Sequence, residues 1–422
     1  MTHLIICVAI VLAVLACIMI RPGGLSEAWV ALGGAVLLLA GGYLSIGEIP
    51  GILARQANVF GFFLGLMTIA ALADQAGVFD LLATLIARWA SGSTFWLYAG
   101  IFALGTLITM FLSNDATALI LTPIVYALVT RLRLPVLPFM FACTFIADTA
   151  SFLLPVSNPT NILVLDALGH GLLPFLHYLL LPALTCVGIN VAIFLLVFRR
   201  SLRLRYAEAD LEAIQPDSPL RRYTLFSLGI IAVGYVIASA LQVSLALVAL
   251  GGGALMFFGA MLYKQLDWKR LGREISWSLF VFIAGLFLIV QAVEQLGILT
   301  PLSRGIVHVA ASGSFLGVLS VAAGGAVGSN LINNIPMTLV LISAFHGAPQ
   351  VVSQHPALIY ATILGVDLGP NLTTVGSLAT MLWLVLLRRK GLDITTLDYV
   401  KLGLLIIPAM LIVSSLEIWL RW

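Results

Sequence analysis

Asparagine, serine and aspartate stand inside membrane-length apolar runs at two pairs of places in this chain. The first pair is SNDATALILTP at 113–123 and ADTASFLLPVSNPTN at 147–161; the second is SNLINNIPMTLV at 329–340 and VDLGPNLTTVGSLAT at 366–380. Amide and hydroxyl side chains both donate and accept hydrogen bonds. Pro123, Pro155, Pro159, Pro336 and Pro370 mark points where a helical ladder is interrupted. A helix broken in mid-membrane leaves free N–H groups at one new end and free C=O groups at the other. Ser113, Asn114, Asp115, Ser157, Asn158, Asn161, Ser329, Asn330, Asn333, Asn334, Thr373 and Ser377 are therefore the candidate solute-binding residues. They suit a small polar solute that is neutral or weakly charged. A blander reading gives them only the work of satisfying hairpin backbone.

The acids are the second chemical signal. Asp148 and Asp367 lie a few residues before the breaks, Asp115 lies within one, and Asp74 and Glu294 lie in flanking spans. An acid at bilayer depth is costly and marks a pathway or relay. No Lys or Arg lies in the interior of these spans, so the acids are expected to lack basic partners. Burial then disfavours their charged forms, which suits proton uptake and release. Asp148 and Asp367 are the expected proton-coupling residues; a capping or permanently protonated aspartate is the alternative.

These residues need a membrane scaffold, and the composition supplies one. Of 422 residues 61% are hydrophobic and 9% charged, against about 25% charged in a soluble domain. The apolar runs are near the ~20 residues that cross a bilayer. The expected fold is an all-α polytopic membrane protein with two re-entrant helical hairpins, 95–130 and 314–345, and two broken transmembrane helices, 135–169 and 355–388. With each hairpin returning to its own side, only Arg55, Arg304 and Arg421 of the 21 basic residues face one side. The positive-inside rule makes the crowded side cytoplasmic and places both termini in the periplasm.

The two halves also match in order. GLMTIAALADQAGVFD at 65–80 aligns with GLFLIVQAVEQLGILT at 285–300 without a gap, pairing Gly65 with Gly285 and Asp74 with Glu294. Ser113-Asn114 pairs with Ser329-Asn330, Asp148 with Asp367, and Asn158 with Ser377. The matched spans run in opposite senses, which gives an inverted-repeat secondary transporter. The first repeat is 1–198, a cytoplasmic linker 199–222, and the second repeat 223–422. Other signals are weak. No GxxxxGK[ST] nucleotide motif occurs, no histidines have metal-ligand spacing, and Cys7, Cys17, Cys143 and Cys186 are scattered through apolar runs. No enzyme activity, cofactor or metal is expected. Cys143, five residues before Asp148, keeps open thiol ligation of a soft metalloid.

The segment VDLGPNLTTVGSLATMLWLVLLRRKG at 366–391 closely resembles the arsenite efflux permease (ArsB) family, as do SNDATALILTP and SNLINNIPM. The shorter motifs are shared with the wider ion-transporter superfamily. The resemblance covers essentially the whole chain. It implies extrusion of trivalent arsenite and antimonite across the bacterial inner membrane, driven by the proton motive force. It also implies a soluble ArsA-type ATPase as a partner. Arsenous acid is a neutral tris-hydroxy species near pH 7, which fits an Asn/Ser/Asp pocket. A Na⁺/H⁺ antiporter, or another anion carrier of the superfamily, is the alternative; a passive channel would need neither buried acids nor an inverted repeat. Orientation is directly testable. Single cysteines placed in 199–222 should react with a membrane-impermeant thiol reagent in everted vesicles, and a cysteine after Trp422 should react in intact spheroplasts. The reverse pattern would overturn the charge reading.

Overall fold

The computed structural model describes every residue except 1, 21–24, 170, 208–217, 242, 298–299, 375 and 393. Among the described residues the regular structure is helical, with one isolated β-bridge from Ser93 to Arg205. Eight of the described helices are long and apolar enough to cross a membrane. Trp29, Phe226, Leu247, Phe258, Leu316 and Leu404 are among many large apolar side chains left exposed. Apolar surface spread over so many helices is what a lipid-facing exterior requires, since lipid takes the place of water there.

Two helix pairs pack back-to-back through matched glycines. Ala57–Gln75 lies along Leu245–Leu262, and Trp277–Gln295 lies along Glu27–Ala40. At the first contact Gly65 faces the Ala249 backbone; at the second Gly285 faces the Ala31 backbone. A side chain at either glycine would strike main chain, so the close approach requires glycine. The two matched helices also run antiparallel to each other. Arg55 donates to Gln291 at 3.2 Å, Phe60 packs edge-on to Phe287, and Arg270 pairs with Asp74. Along this series the numbers rise from just before the first helix through its length, as they fall through the second helix to the short helix that precedes it.

The chain reverses direction within 95–130 and again within 314–345. Thr94–Phe111 ends at Leu112, and a new helix begins at Asn114. The Thr109 and Thr117 hydroxyls meet at 2.7 Å, and Gly105 faces Leu121. In one straight helix Gly105 and Leu121 would stand about 24 Å apart. The second reversal joins Phe315–Ile332 to Asn334–His346, with Gly328 against Met337. Its hinge, Asn333, has φ 74° and ψ 156°, a strained region that glycine normally occupies. Past the first reversal the helix widens into a π-turn at Thr117–Leu121. Pro123 follows; it has no N–H and crowds the preceding turn, a known cause of such widening.

The two broken spans are also present. Val136–Thr149 stops, passes through a short turn and a 3₁₀ segment Pro155–Ser157, and resumes as Pro159–Leu168. Pro356–Leu368 stops, passes through Gly369–Leu372, and resumes as Leu378–Arg389. Gly365 and Gly369 let the second span lie on the backbone of Ala322 and Ala326. Gly65→Leu and Gly365→Leu should each lower stability by about 1–3 kcal/mol through overpacking, read as a reduced thermal midpoint in detergent. Gly33→Leu, where nothing lies within reach of an added Cβ, should leave the midpoint unchanged.

Candidate functional site

Each broken span resumes behind an N-cap. Asn158 Oδ1 accepts the Thr160 N–H at 3.3 Å, and Ser377 Oγ accepts the Thr380 N–H at 3.1 Å. Such caps satisfy helix-end donors that no water reaches. The residue just inside each cap then crosses to the other span. Thr380 Oγ1 and Ser377 Oγ both donate to Asp148 Oδ2 at 3.3 Å. Thr160 Oγ1 donates to Asp367 Oδ1, and Ser151 Oγ donates to Asp367 Oδ2 at 3.1 Å. Each aspartate of one broken span is thus held by hydroxyls of the other. Both carboxyls are buried, Asp148 1% exposed and Asp367 not at all.

A second set of bonds ties the same parts together. Asn114 Nδ2 donates to Asp148 Oδ1 at 3.2 Å, which brings the first reversal onto the first broken span. Asn334 N donates to the Gly376 carbonyl at 3.0 Å, which does the same for the second. Asn371 Nδ2 donates to the Phe145 carbonyl and to Thr149 Oγ1, and accepts from the Tyr399 hydroxyl. All four polar elements therefore converge. Between them lies a void of about 10 Å³ lined by Asn114, Asp115, Asn158, Pro159, Asn334, Ile335, Ser377 and Ala379, roughly the space of one water. Asn158 Nδ2 is buried near Asp367 without a hydrogen bond of ordinary geometry.

Of the candidate residues read from sequence, Asn114, Asp115, Asn158, Asn334 and Ser377 line this void. Ser113 lines a larger cavity beside it and caps the new helix through Ala116 N at 3.1 Å. The others serve the backbone of the breaks. Ser157 Oγ donates to the Met110 carbonyl, Asn161 Nδ2 to the Ser151 and Leu154 carbonyls, and Ser329 Oγ to the Ala326 carbonyl. Asn330 Nδ2 donates to the Ala326 and Gly369 carbonyls while its Oδ1 accepts from Thr373. Asn333 is the hinge itself. Ser151, Thr160 and Thr380 were missed; their signal was a hydroxyl beside each break, two of them in a first helical turn.

Two sequence expectations are corrected. Asn334, not Asn330, occupies the place of Asn114. Both are the first residue of the helix after the reversal, and each side chain accepts the next residue's N–H, at 2.9 Å from Asp115 and 3.0 Å from Ile335. The shared Ser-Asn letters misled because Ser329-Asn330 lies in the last turn before the reversal. Asp74 and Glu294 also have basic partners. Arg270, from the short helix Trp268–Glu274, pairs with Asp74, and His346 Nδ1 lies 3.6 Å from Glu294. Both bases come from outside the acids' own spans, where no local pattern could assign them. Asp267 caps that short helix, accepting the Arg270 N–H at 2.9 Å, and this bond holds its carboxyl below the usual range.

A vestibule of about 490 Å³ adjoins the void and shares Asp115 and Pro159 with it. Its walls include Asp74, Asp80, Ser113, Asp115, Arg270, Arg273 and Glu274. A separate cavity of about 290 Å³ at the opposite end of the antiparallel helices holds Arg55, Glu294 and His346, and its walls include no residue of the void. None of the cysteines lines the void or the vestibule, and Cys143 and Cys186 are fully buried.

Broken helices and chain reversals meeting at a buried polar centre, in a helical fold with membrane-length apolar helices, define a membrane transporter rather than an enzyme. The fold resembles the YdaH transporter of Alcanivorax borkumensis, whose crystal structure was described for its unusual topology. The TM-score is 0.59 at 14% identity, covering 90% of this chain and 89% of that one. Residues 6–420 match the family described as arsenical pump membrane protein (ArsB), and the chain belongs to that family. Relatives named arsenical pump membrane protein include one from Escherichia coli, 31% identical over 410 residues, and one from Yersinia enterocolitica, 30% identical over 409. Each alignment covers 95% of this chain and 95% of the relative.

The reciprocal hydroxyl bonds generate a paired expectation. Thr160→Val and Thr380→Val keep side-chain shape but remove a donor from Asp367 and Asp148 respectively. Each should cost about 1–3 kcal/mol, seen as similar falls in thermal midpoint, and Ser at either position should recover most of it. A loss at one site alone would show that the two carboxylates are not held equivalently.

Proposed function

We propose that this protein exports trivalent metalloid, as neutral arsenous or antimonous acid, from the cytoplasm in exchange for protons. The reciprocal bonding of Asp148 and Asp367 is the observation that carries this reading. Two buried carboxylates, without a Lys or Arg partner among the described residues, sit where both reversals and both breaks converge, and their donors are hydroxyls and an amide. A carboxyl held by neutral donors exists either protonated or ionised, so it can load and release a proton. The surrounding Asn114, Asn158, Asn334 and Ser377 offer hydrogen bonds to a tris-hydroxy solute. A dicarboxylate would instead call for a buried cation. Family membership with proteins named as arsenical pumps supports the same substrate class.

Alternating access follows from an inverted repeat of 1–198 and 223–422 joined by 199–222, with 95–130 and 314–345 as re-entrant hairpins. The antiparallel run of the matched helices and the reciprocal contacts Gly65–Ala249 and Gly285–Ala31 support it. By the positive-inside rule the Arg270 face is cytoplasmic. The vestibule then reaches the site from the cytoplasm, and the conformation is inward-facing. Residence in the bacterial plasma membrane with periplasmic termini completes the reading.

Everted vesicles energised acid-inside should accumulate As(III) and Sb(III), and a protonophore should abolish the accumulation. Na⁺ offered in place of the metalloid should not accumulate. Asp148→Asn and Asp367→Asn keep shape and hydrogen bonding but cannot ionise. Each should allow downhill As(III) exchange while reducing gradient-driven accumulation to background. Full coupled transport in both variants would sink the coupling role of these residues.

A further inference from the structure

We propose that Asp115 is the carboxylate through which protons pass between the vestibule and Asp148, so that proton exchange in this conformation runs to the Arg270 face. The inference deepens the proton-antiport reading and rests on it. Asp148 lines neither the vestibule nor the void, and is sealed by Asn114, Ser377 and Thr380. It therefore needs an intermediary to reach water. Asp115 and Pro159 line both spaces. Pro159 carries no exchangeable proton. Asp115 is half-buried. The two acids are also linked through Asn114, which accepts the Asp115 N–H and donates to Asp148.

The second reversal has no such group. Asn334 holds the place of Asn114, and Ile335 follows it where Asp115 follows Asn114. The cavity on that side, with Glu294 and His346, includes neither Asn334 nor Ile335 in its walls. The asymmetry is chemical as well as geometric: one tip presents an acid to an open cavity, the other an aliphatic side chain to the void.

The charges around Asp115 fit the role. Asp74, Asp80, Glu274, Arg270 and Arg273 share the vestibule, and Arg270 is engaged by Asp74 and Glu274. With Asp115 counted, carboxylates outnumber guanidiniums there, which raises the local concentration of cations and protons. Asp148 is the charged group on Val136–Thr149, the helix behind the tip, and Thr94–Phe111 carries none. The basic residues of Leu378–Arg389 stand at its far end, about 15 Å from its first turn.

The test compares everted with right-side-out vesicles, which present opposite faces to the bath. Lumen pH is held and bath pH stepped while As(III) flux is read. Wild-type flux should follow bath pH in both preparations. Asp115→Asn should lose the response in everted vesicles, with a rate change of ~10-fold or more, and keep it in right-side-out vesicles. Asp115→Glu should restore it. Each response is normalised to the variant's own As(III) exchange at symmetric pH, so that weakened solute binding, which lowers flux from both faces alike, is separated from lost proton access at one face. A wild-type response of Asp115→Asn at both faces overturns the proposal. So does loss of exchange in both Asp115→Asn and Asp115→Glu, which would make the residue structural. Failure of the antiport reading shows separately, as coupled accumulation surviving in Asp148→Asn and Asp367→Asn.

Discussion

A backbone N–H or C=O inside a bilayer has no water to bond, so every helix end placed there needs a partner from the protein. This chain places helix ends in the interior at both reversals and both breaks. The rest of the polar architecture answers that demand. Ser113, Asn158 and Ser377 cap new N-termini, while Ser157, Asn161, Asn330 and Asn371 take up orphan carbonyls. The caps and Asn161 bond within their own helix or span, whereas Ser157, Asn330 and Asn371 reach across to a neighbouring polar element. Satisfying the backbone and assembling the centre are therefore one event.

The same constraint explains why the carboxylates are where they are. Asp148 and Asp367 are each the penultimate residue of a helix segment. A charged acid there would be far from solvent, and an apolar residue would leave the facing hydroxyls of the other span without acceptors. Pairing each acid with the first turn of the opposite span satisfies both sides. It also makes the two spans interdependent, because a shift of one removes donors from the acid of the other. A centre built this way can exist in a small number of arrangements rather than deform continuously.

Around that centre, close packing sets the frame. Gly65, Gly285, Gly365 and Gly369 let helix backbones touch where a single added methyl group would strike main chain. In a membrane the apolar effect does not press helices together, so such contacts carry the packing. The ionic pairs stand at the ends of this frame: Arg270 with Asp74 beside the vestibule, and His346 with Glu294 beside the opposite cavity. They lie at the rims and not at the convergence of the breaks, which is held by neutral donors.

Much of this was legible in the residues. Asn, Pro and Gly inside apolar runs marked the segments 113–123, 147–161, 329–340 and 366–380 in or beside which the chain reverses or breaks, because each of those residue types has a fixed local consequence for a helix ladder. Asp148 and Asp367 stood out because a buried acid is costly wherever it falls. What the sequence could not supply was partnership. That Thr380 reaches Asp148, Thr160 reaches Asp367, Arg270 reaches Asp74 and His346 reaches Glu294 depends on contacts between segments separated by 52 residues or more in the chain. The equivalence of Asn114 with Asn334 was hidden for a related reason: identical letters at Ser329-Asn330 fall one helical turn before the reversal, and only the backbone shows where the chain turns. Local chemistry is written in local residue types; which of them meet, and which side chains are consumed by backbone before any solute arrives, is decided by the packing of the whole chain.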